Sequence, residues 1–421
     1  MQKFKHFLIP LLIMVVALYP KFPLIGFEGV FVAIRLEDIL IALVVGIYLL
    51  FNWRNLISDA KKPIHRAILL YWLVSGVSTF AGIFLTKTVD PKVGLLHFGR
   101  RIEYMSMFWV GYWAFDSMKN FSTIIRSILV TALVVAIFGL GQQFLAWPVI
   151  STSNSEFAKG LTLSLGPGAR INSTFAGHYD LAAFCLFPLL IIIWLATSET
   201  TKKRWLLALV GIPLYWAMLL SASRITFAAF IVTAFLMIVI FKKWRWLVVL
   251  FVVSVLSVFL SPQLAGRYRE LIITRFNQIS FVSVAHAEDV REVPDALKPT
   301  EVLEDRSLNI RLKASWPKAI RALYKNPVLG TGFSSVGLAI DNDYLRQLAE
   351  TGILGTLALA LIYIRLAKSW LFSKNKFTLV MSCVTVGLLA NAVFIDIFEA
   401  SKIAIVFWLL AGVTQKIKEL A

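Results

Sequence analysis

Cysteine is nearly absent from the 421-residue chain: Cys185 and Cys383 are the only two, and both lie inside apolar runs. That scarcity excludes a disulfide framework and a cysteine-ligated zinc site. Charge is scarce as well, at 16% of residues, where a soluble domain carries roughly a quarter. The familiar signatures of soluble catalysis are missing too. No glycine-rich phosphate loop, no HExxH and no GxSxG occurs, which leaves ATP-driven transport and metalloprotease chemistry without support. The amino-terminal stretch "MQKFKHFLIPLLIMVVALYP" has a basic start and an apolar run but no small-residue cleavage site, and reads as a retained first helix.

What is abundant is apolar sequence, 58% of the chain. A spanning helix needs ~20 such residues, and about twelve runs qualify. They centre near Met14, Leu43, Val74, Phe108, Val134, Leu189, Ile212, Val232, Val252, Ala358, Thr385 and Val406. Every second connection is short and basic, as in Lys61–Lys62, Lys202–Arg204 and Lys242–Lys243, which places that side and both termini in the cytoplasm. The net charge of +18 therefore reads as membrane topology rather than a nucleic-acid-binding face. The expectation is an all-α integral membrane protein, with helices 1–9 over residues 1–261, a large extracytoplasmic loop over 262–340, and helices 10–12 over 341–421.

That loop, roughly 80 residues, far exceeds ordinary connection lengths. "LAGRYRELIITRFNQISF" has one apolar helical face and suits a helix in the membrane interface. "HAEDVREVPDALKPTEVLED" is acidic and aperiodic, as a flexible span would be. "SLNIRLKASWPKAIRALYKNP" recovers a stripe through Leu312, Trp316, Ile320 and Leu323 and stops at Asn326–Pro327. On the side opposite the basic loops, arginines collect: Arg100, Arg101, Arg170, Arg224, Arg311 and Arg321. Guanidinium groups gathered there fit an anion at the outer interface, and a lipid diphosphate is the anion native to that depth. Arg100 and Arg101 fit pairing with lipid head groups equally well. Arg224, between two closely joined apolar helices, must face protein or water. His178 fits either a helix-entry residue or a reactive one.

"DNDYLRQLAETGILGT" reads Asp341–Asn342, nine residues, then Gly352-x-x-Gly355–Thr356. This layout resembles a motif of O-antigen ligases, which carry His in the first place. The preceding "NIRLKASWPKAIRALYKNPVLGTGFSS", with its Arg, Trp, helix and N-P-x-x-G-x-G, resembles the family segment before that motif. "SASRITFAAF" and "RINSTFAGHYDLAAF" resemble its upstream segments, so the likeness runs from about Arg170 to Leu366. The superfamily holds O-antigen ligases, O-antigen and capsule-type polymerases and some protein O-oligosaccharyltransferases. The resemblance implies a GT-C-like glycosyltransferase of the inner membrane that needs no metal or other cofactor. It would move a glycan from undecaprenyl diphosphate to a glycan, lipid or protein acceptor outside the cytoplasm.

By resemblance, Arg224 and Arg311 bind the diphosphate with help from Arg170, and Asp341 is the base for the acceptor hydroxyl. Arg100, Arg101, Arg321, His178 and Asn342 complete the expected substrate-binding set. Asp341 or Asn342 would also serve as the cap of the tenth helix, while Gly352 and Gly355 are expected to permit close helix packing. Asp341 stands where a ligase carries His, and Asp-Asn-x-Tyr starts are familiar in polymerase-like members, so ligase and polymerase both remain open. A lipid-linked glycan transporter would need polar residues through the bilayer midplane, which these runs mostly lack.

Overall fold

A computed structural model describes residues 2–20, 23–27, 30–149, 165, 169–198, 204–260, 311–337 and 340–420. The chain opens with α1 (Gln2–Leu18), a β1–β2 hairpin (Pro23–Phe27, Val30–Arg35) and α2 (Leu36–Asn52). Next come α3 (Pro63–Phe80), α4 (Pro91–Ala114), α5 (Phe121–Phe144), α6 (His178–Thr197) and α7 (Arg204–Leu220). The remaining elements are α8 (Arg224–Ile240), α9 (Arg245–Leu260), the short α10 (Trp316–Lys325), α11 (Asp343–Trp370), α12 (Lys376–Asn391) and α13 (Ser401–Leu420).

Each of the twelve expected centres falls inside one of these helices. Among the described residues, five helical stretches are long and apolar enough to cross a membrane: Leu36–Ala60, Pro63–Leu85, Met118–Phe144, His178–Thr197 and Asp343–Trp370. Others, such as α7 and α8, are apolar but have 17 residues. At ~1.5 Å per residue they reach about 25 Å, short of a hydrocarbon core of ~30 Å. The purely helical expectation needs one correction. β1 and β2 pair antiparallel, with Ile25 opposite Ile34 and Gly26 opposite Ala33. The segment is too short for a span and rich in β-branched residues, which favour a pleated ribbon.

Apolar side chains lie on the outside of this bundle as well as within it. Leu50 is 75% exposed and Phe259 78%, which suits helices facing lipid and marks a membrane protein. α13 is buried along nearly its whole length and packs most extensively against α4. There the two backbones touch: a Cβ on Gly111 would sit 2.1 Å from the Leu409 carbonyl oxygen, and one on Gly412 would sit 2.0 Å from that of Phe108. This is the close glycine packing expected of membrane helices.

Gly352 goes beyond the close helix packing expected of it, because the backbone it lets approach belongs to a loop and the helix breaks there. Its φ of 65° and ψ of −168° interrupt α11, a conformation essentially reserved for glycine. The backbone groups freed by the break are taken up by the Asn326–Gly332 loop. Ile353 N–H donates to Pro327 O at 2.9 Å and Leu354 N–H to Val328 O at 3.2 Å. In return, Thr331 N–H donates to Ala349 O at 2.9 Å and Gly332 N–H to Glu350 O at 2.8 Å. A broken helix is tolerable at membrane depth only when protein satisfies its ends in this way. α3 and the segment that follows it cover the same junction, with Ser78 Oγ donating to Thr351 O at 3.3 Å and Thr88 Oγ1 to Thr331 O at 2.7 Å.

The interfacial helix expected over 264–279 and the acidic span over 286–305 lie outside the described residues. α10 ends at Asn326 as expected, but its inward face differs. Leu312 and Ile320 are exposed, and Ala319 is the buried residue, packed with Val336, Ile340 and Ala349. A small side chain fits there because α10 lies close upon α11.

Candidate functional site

The site begins at the turn that feeds α11. Asn342 is the helix cap, its Oδ1 accepting from Leu345 N–H at 2.9 Å. Asp341 therefore precedes the cap and its side chain does not perform that task. Its backbone is left-handed, at φ 54°. Asp, Asn and His are the non-glycine residues most often found in that region, so the position suits an Asp and equally the His of ligases.

A left-handed residue turns successive amides to one side and makes a small anion-binding concavity. Asp396, in the loop between α12 and α13, fills it. Its carboxylate accepts from the N–H groups of Ile340 (3.2 Å), Asp341 (3.1 Å) and Asn342 (3.0 Å), and from Arg346 Nη2 (2.8 Å). Arg346 also donates to Gly337 O at 3.0 Å and Glu350 Oε1 at 3.3 Å, while Glu350 accepts from Ser334 N–H. Asp343 completes the clasp, its N–H donating to Ala392 O and its carboxylate accepting from Phe398 N–H.

The turn presents the Asp341 carboxylate to Arg311, whose Nε donates to Oδ2 at 3.2 Å. The arginine side chain is 5% exposed and the aspartate 39%. Burial pushes the Asp341 carboxyl above the usual carboxylate range. Arg311 pulls it down, Asp396 pushes it up and Arg346 pulls down again, and the net direction is upward. The Arg311 guanidinium lies 5.9 Å from the centre of the Tyr179 ring, a cation–π distance. Tyr179 in turn lies against the His178 ring, with centroids 4.0 Å apart. Arg170 Nη1 meets His178 Nε2 at 2.8 Å. Guanidinium nitrogens only donate, so Nε2 is the acceptor and the imidazole is neutral with its proton on Nδ1. Four of the expected residues, Arg170, His178, Arg311 and Asp341, thus form one continuous cluster, with Tyr179 as the link.

Arg224 is half-buried in the first turn of α8, behind the Ser223 cap. Thr226 Oγ1 donates to Asn391 Oδ1 at 2.7 Å, one residue before the carbonyl that holds Asp343. The start of α8 and the Asp341 turn are therefore joined at the same end of the bundle. Arg100 and Arg101 are engaged elsewhere. Arg101 donates to Phe398 O and pairs with Glu399, locking the α12–α13 loop to α4, and Arg100 lies 4.0 Å from Asp38. Arg321 is exposed on α10.

Asp396, Arg346, Glu350 and Glu399 went unmarked in the sequence. The available signal was charge at the mouth of apolar runs, which costs several kcal/mol unless paired. Among the described residues, no group of three or more His, Cys, Asp or Glu side chains is arranged to hold a metal ion.

No curated protein matches the chain. A family model does, over residues 208–360, the stretch that carries Arg224, Arg311 and Asp341 but not Arg170 or His178. Its description is O-antigen ligase, so this stretch of the chain is similar to the O-antigen ligase family.

Proposed function

We propose that the protein is a membrane glycosyltransferase that moves a glycan from undecaprenyl diphosphate to an acceptor hydroxyl. In this reading the cluster faces outward from the cytoplasmic membrane, the helices around the twelve apolar centres are embedded in it, and both termini are cytoplasmic. The observation that carries the reading is the Arg311–Asp341 pair, inside the matched domain, held at 3.2 Å at the mouth of α11.

The reaction needs a base on one side of the anomeric carbon and positive charge on the other. Asp341 takes the proton of the acceptor hydroxyl as its oxygen bonds to the anomeric carbon. Burial raises the basicity of this carboxylate, which suits it to the task. The bond from the anomeric carbon to the diphosphate breaks, and its electron pair leaves on the diphosphate oxygen. Arg311 engages Asp341 through Nε, so its terminal nitrogens are the ones to meet that developing charge. Arg224 and Arg170 supply further guanidinium groups. At about 4 Å and an effective dielectric near 20, each contributes up to ~4 kcal/mol before desolvation is counted. His178, neutral and bonded to Arg170, orients that arginine. Charge stabilisation by guanidinium groups makes a metal ion unnecessary in this scheme.

The test is reconstitution in vesicles with a defined undecaprenyl-diphosphate oligosaccharide. Transfer by the wild-type protein, lost by at least about 100-fold in Arg311→Lys, supports the reading. Chain growth without added acceptor assigns a polymerase, and transfer only to a separate lipid, protein or glycan acceptor assigns a ligase. In cells, Arg224→Ala should leave lipid-linked glycan accumulating on the outer face. Trapping on the cytoplasmic face would replace this reading with a transporter.

A further inference from the structure

We propose that Asp396 is the positioning residue of this site: it holds the Ile340–Asn342 turn so that the Asp341 carboxylate is presented to Arg311 and the acceptor. The inference rests on the transfer reaction proposed above and adds a residue that neither the sequence motif nor residues 208–360 contain.

The argument is geometric. Three consecutive amides, those of Ile340, Asp341 and Asn342, converge on one carboxylate between 3.0 and 3.2 Å. Among the described residues, no other group accepts from them. The helix cap belongs to Asn342 and serves Leu345, three residues further on, so it does not fix the turn upstream. Asp341 itself sits in the left-handed region, which costs about 1–2 kcal/mol relative to a right-handed residue and persists only if something holds it. Asp396 is that constraint. Its fourth partner, Arg346, fastens the carboxylate to α11, and the backbone of the same loop is fastened to Asp343 and Arg101. The loop that carries the carboxylate is therefore anchored to two helices, α11 and α4, while the residue it holds is 39% exposed and open to substrate.

Four charged groups bear on Asp341. They are Arg311 ahead of α10, Asp396 from the α12–α13 loop, Arg346 from α11, and Arg170 through His178 and Tyr179 on α6. Asp396 is the negative one among them. Neutralising it removes the group that pushes the Asp341 carboxyl up and leaves Arg346 less compensated. Both changes lower the pH at which Asp341 loses its proton.

The experiment compares wild type, Asp396→Asn and Asp396→Glu in the reconstituted transfer assay, with hydrogen–deuterium exchange on the same preparations. Asp396→Asn is isosteric, and Arg346 keeps Glu350 and Gly337, so α11 retains its anchor. The expected kcat falls by roughly 10–100-fold, because a small misplacement of a reacting group has that effect. KM for the lipid-linked donor changes by less than about 3-fold, since the arginines are untouched. The acidic limb of the rate profile moves to lower pH in Asp396→Asn and stays put in Asp396→Glu, which keeps the charge. Amides 340–342 lose protection in Asp396→Asn while amide 345 does not. Unchanged protection at 340–342, an unshifted acidic limb, or parallel losses in kcat and donor affinity would each overturn the proposal. Absence of transfer by wild type would instead overturn the functional reading, and the exchange measurement would still decide whether Asp396 holds the turn. If Asp396→Asn does not fold, the unshifted limb and reduced kcat of Asp396→Glu carry the test, and a shifted limb in that variant overturns it.

Discussion

Replacing Gly352 by alanine tests whether the break in α11 needs its glycine. At φ 65° and ψ −168° an alanine carries backbone strain of about 1–3 kcal/mol. Its Cβ would stand 2.3 Å from the Val328 carbonyl oxygen and 2.5 Å from the Gly330 nitrogen, both backbone atoms with little freedom to yield. Moving that loop away breaks the bonds from Ile353 and Leu354 to Pro327 and Val328, each worth about 1 kcal/mol net. The total is about 3–5 kcal/mol, a large share of an ordinary folding free energy of about 5–15 kcal/mol. The control is Gly99→Ala in α4, where the added Cβ meets nothing within 4 Å. That change should be neutral or stabilising by up to about 1 kcal/mol. Thermal unfolding of the purified protein in detergent, with amide exchange over residues 327–332 and 349–354, reads both variants. If Gly352→Ala melts with wild type and keeps protection at 353 and 354, the break does not need its glycine and the reasoning fails.

Four further outcomes follow from contacts already described. Asp341→Asn should lower kcat by about 100-fold or more while donor binding stays near wild type, since general-base catalysis is commonly worth that factor; full activity would reduce Asp341 to a structural residue. Because burial raises its carboxyl, transfer should fall as pH drops through a value above the ordinary aspartate range, and a limb at or below that range would refute the assignment. At Glu399, burial pushes the carboxyl up, but Arg101 and Arg346 outweigh it and hold the group below the usual glutamate value. Its stabilisation is therefore complete above the unfolded-state pKa and lost as pH falls through the lowered folded-state pKa, so Glu399→Gln should flatten the acid side of a stability profile. Gly111→Leu should destabilise the protein by more than about 2 kcal/mol, because its side chain must enter the Leu409 backbone of α13, and an unchanged melting temperature would argue against that crossing.

The apolar runs disclosed the helices because a chain that must bury or greaten its contact with lipid repeats the same signal for each span. They drew attention to the charged candidate residues for the same reason, since Arg224, Arg311 and Asp341 stand out where charge is scarce. The pairing partners were less visible. Asp396 meets Asp341 across some 55 residues of sequence, and no local spacing encodes that contact. Gly352 read as a packing glycine because its role depends on carbonyls at Pro327 and Val328, in a loop that periodicity treats as a stop. The hairpin between α1 and α2 escaped notice because "PLIGF" and "VFVAIR" are as apolar as the helices that flank them. Apolar composition declares burial, and it leaves the choice between ribbon and helix to length and local turn residues.

The burial of α13 has a consequence for assembly. This helix follows every other described element in the sequence, yet it occupies the middle of the bundle, against α4 and α1. Lys402 in its first turn bonds the carbonyl oxygens of Ala17 and Thr174, which were synthesised hundreds of residues earlier. Until α13 is in place, the slot it fills must be occupied by lipid or stand open, and both carbonyls lack the Lys402 donor. The Arg101–Glu399 and Asp343–Phe398 contacts lie immediately ahead of it and gain their anchor at the same moment. Closure of the bundle and completion of the Asp341 turn thus depend on the same last helix and the loop ahead of it, so a chain lacking that helix in place would carry the Asp341 turn without its supports.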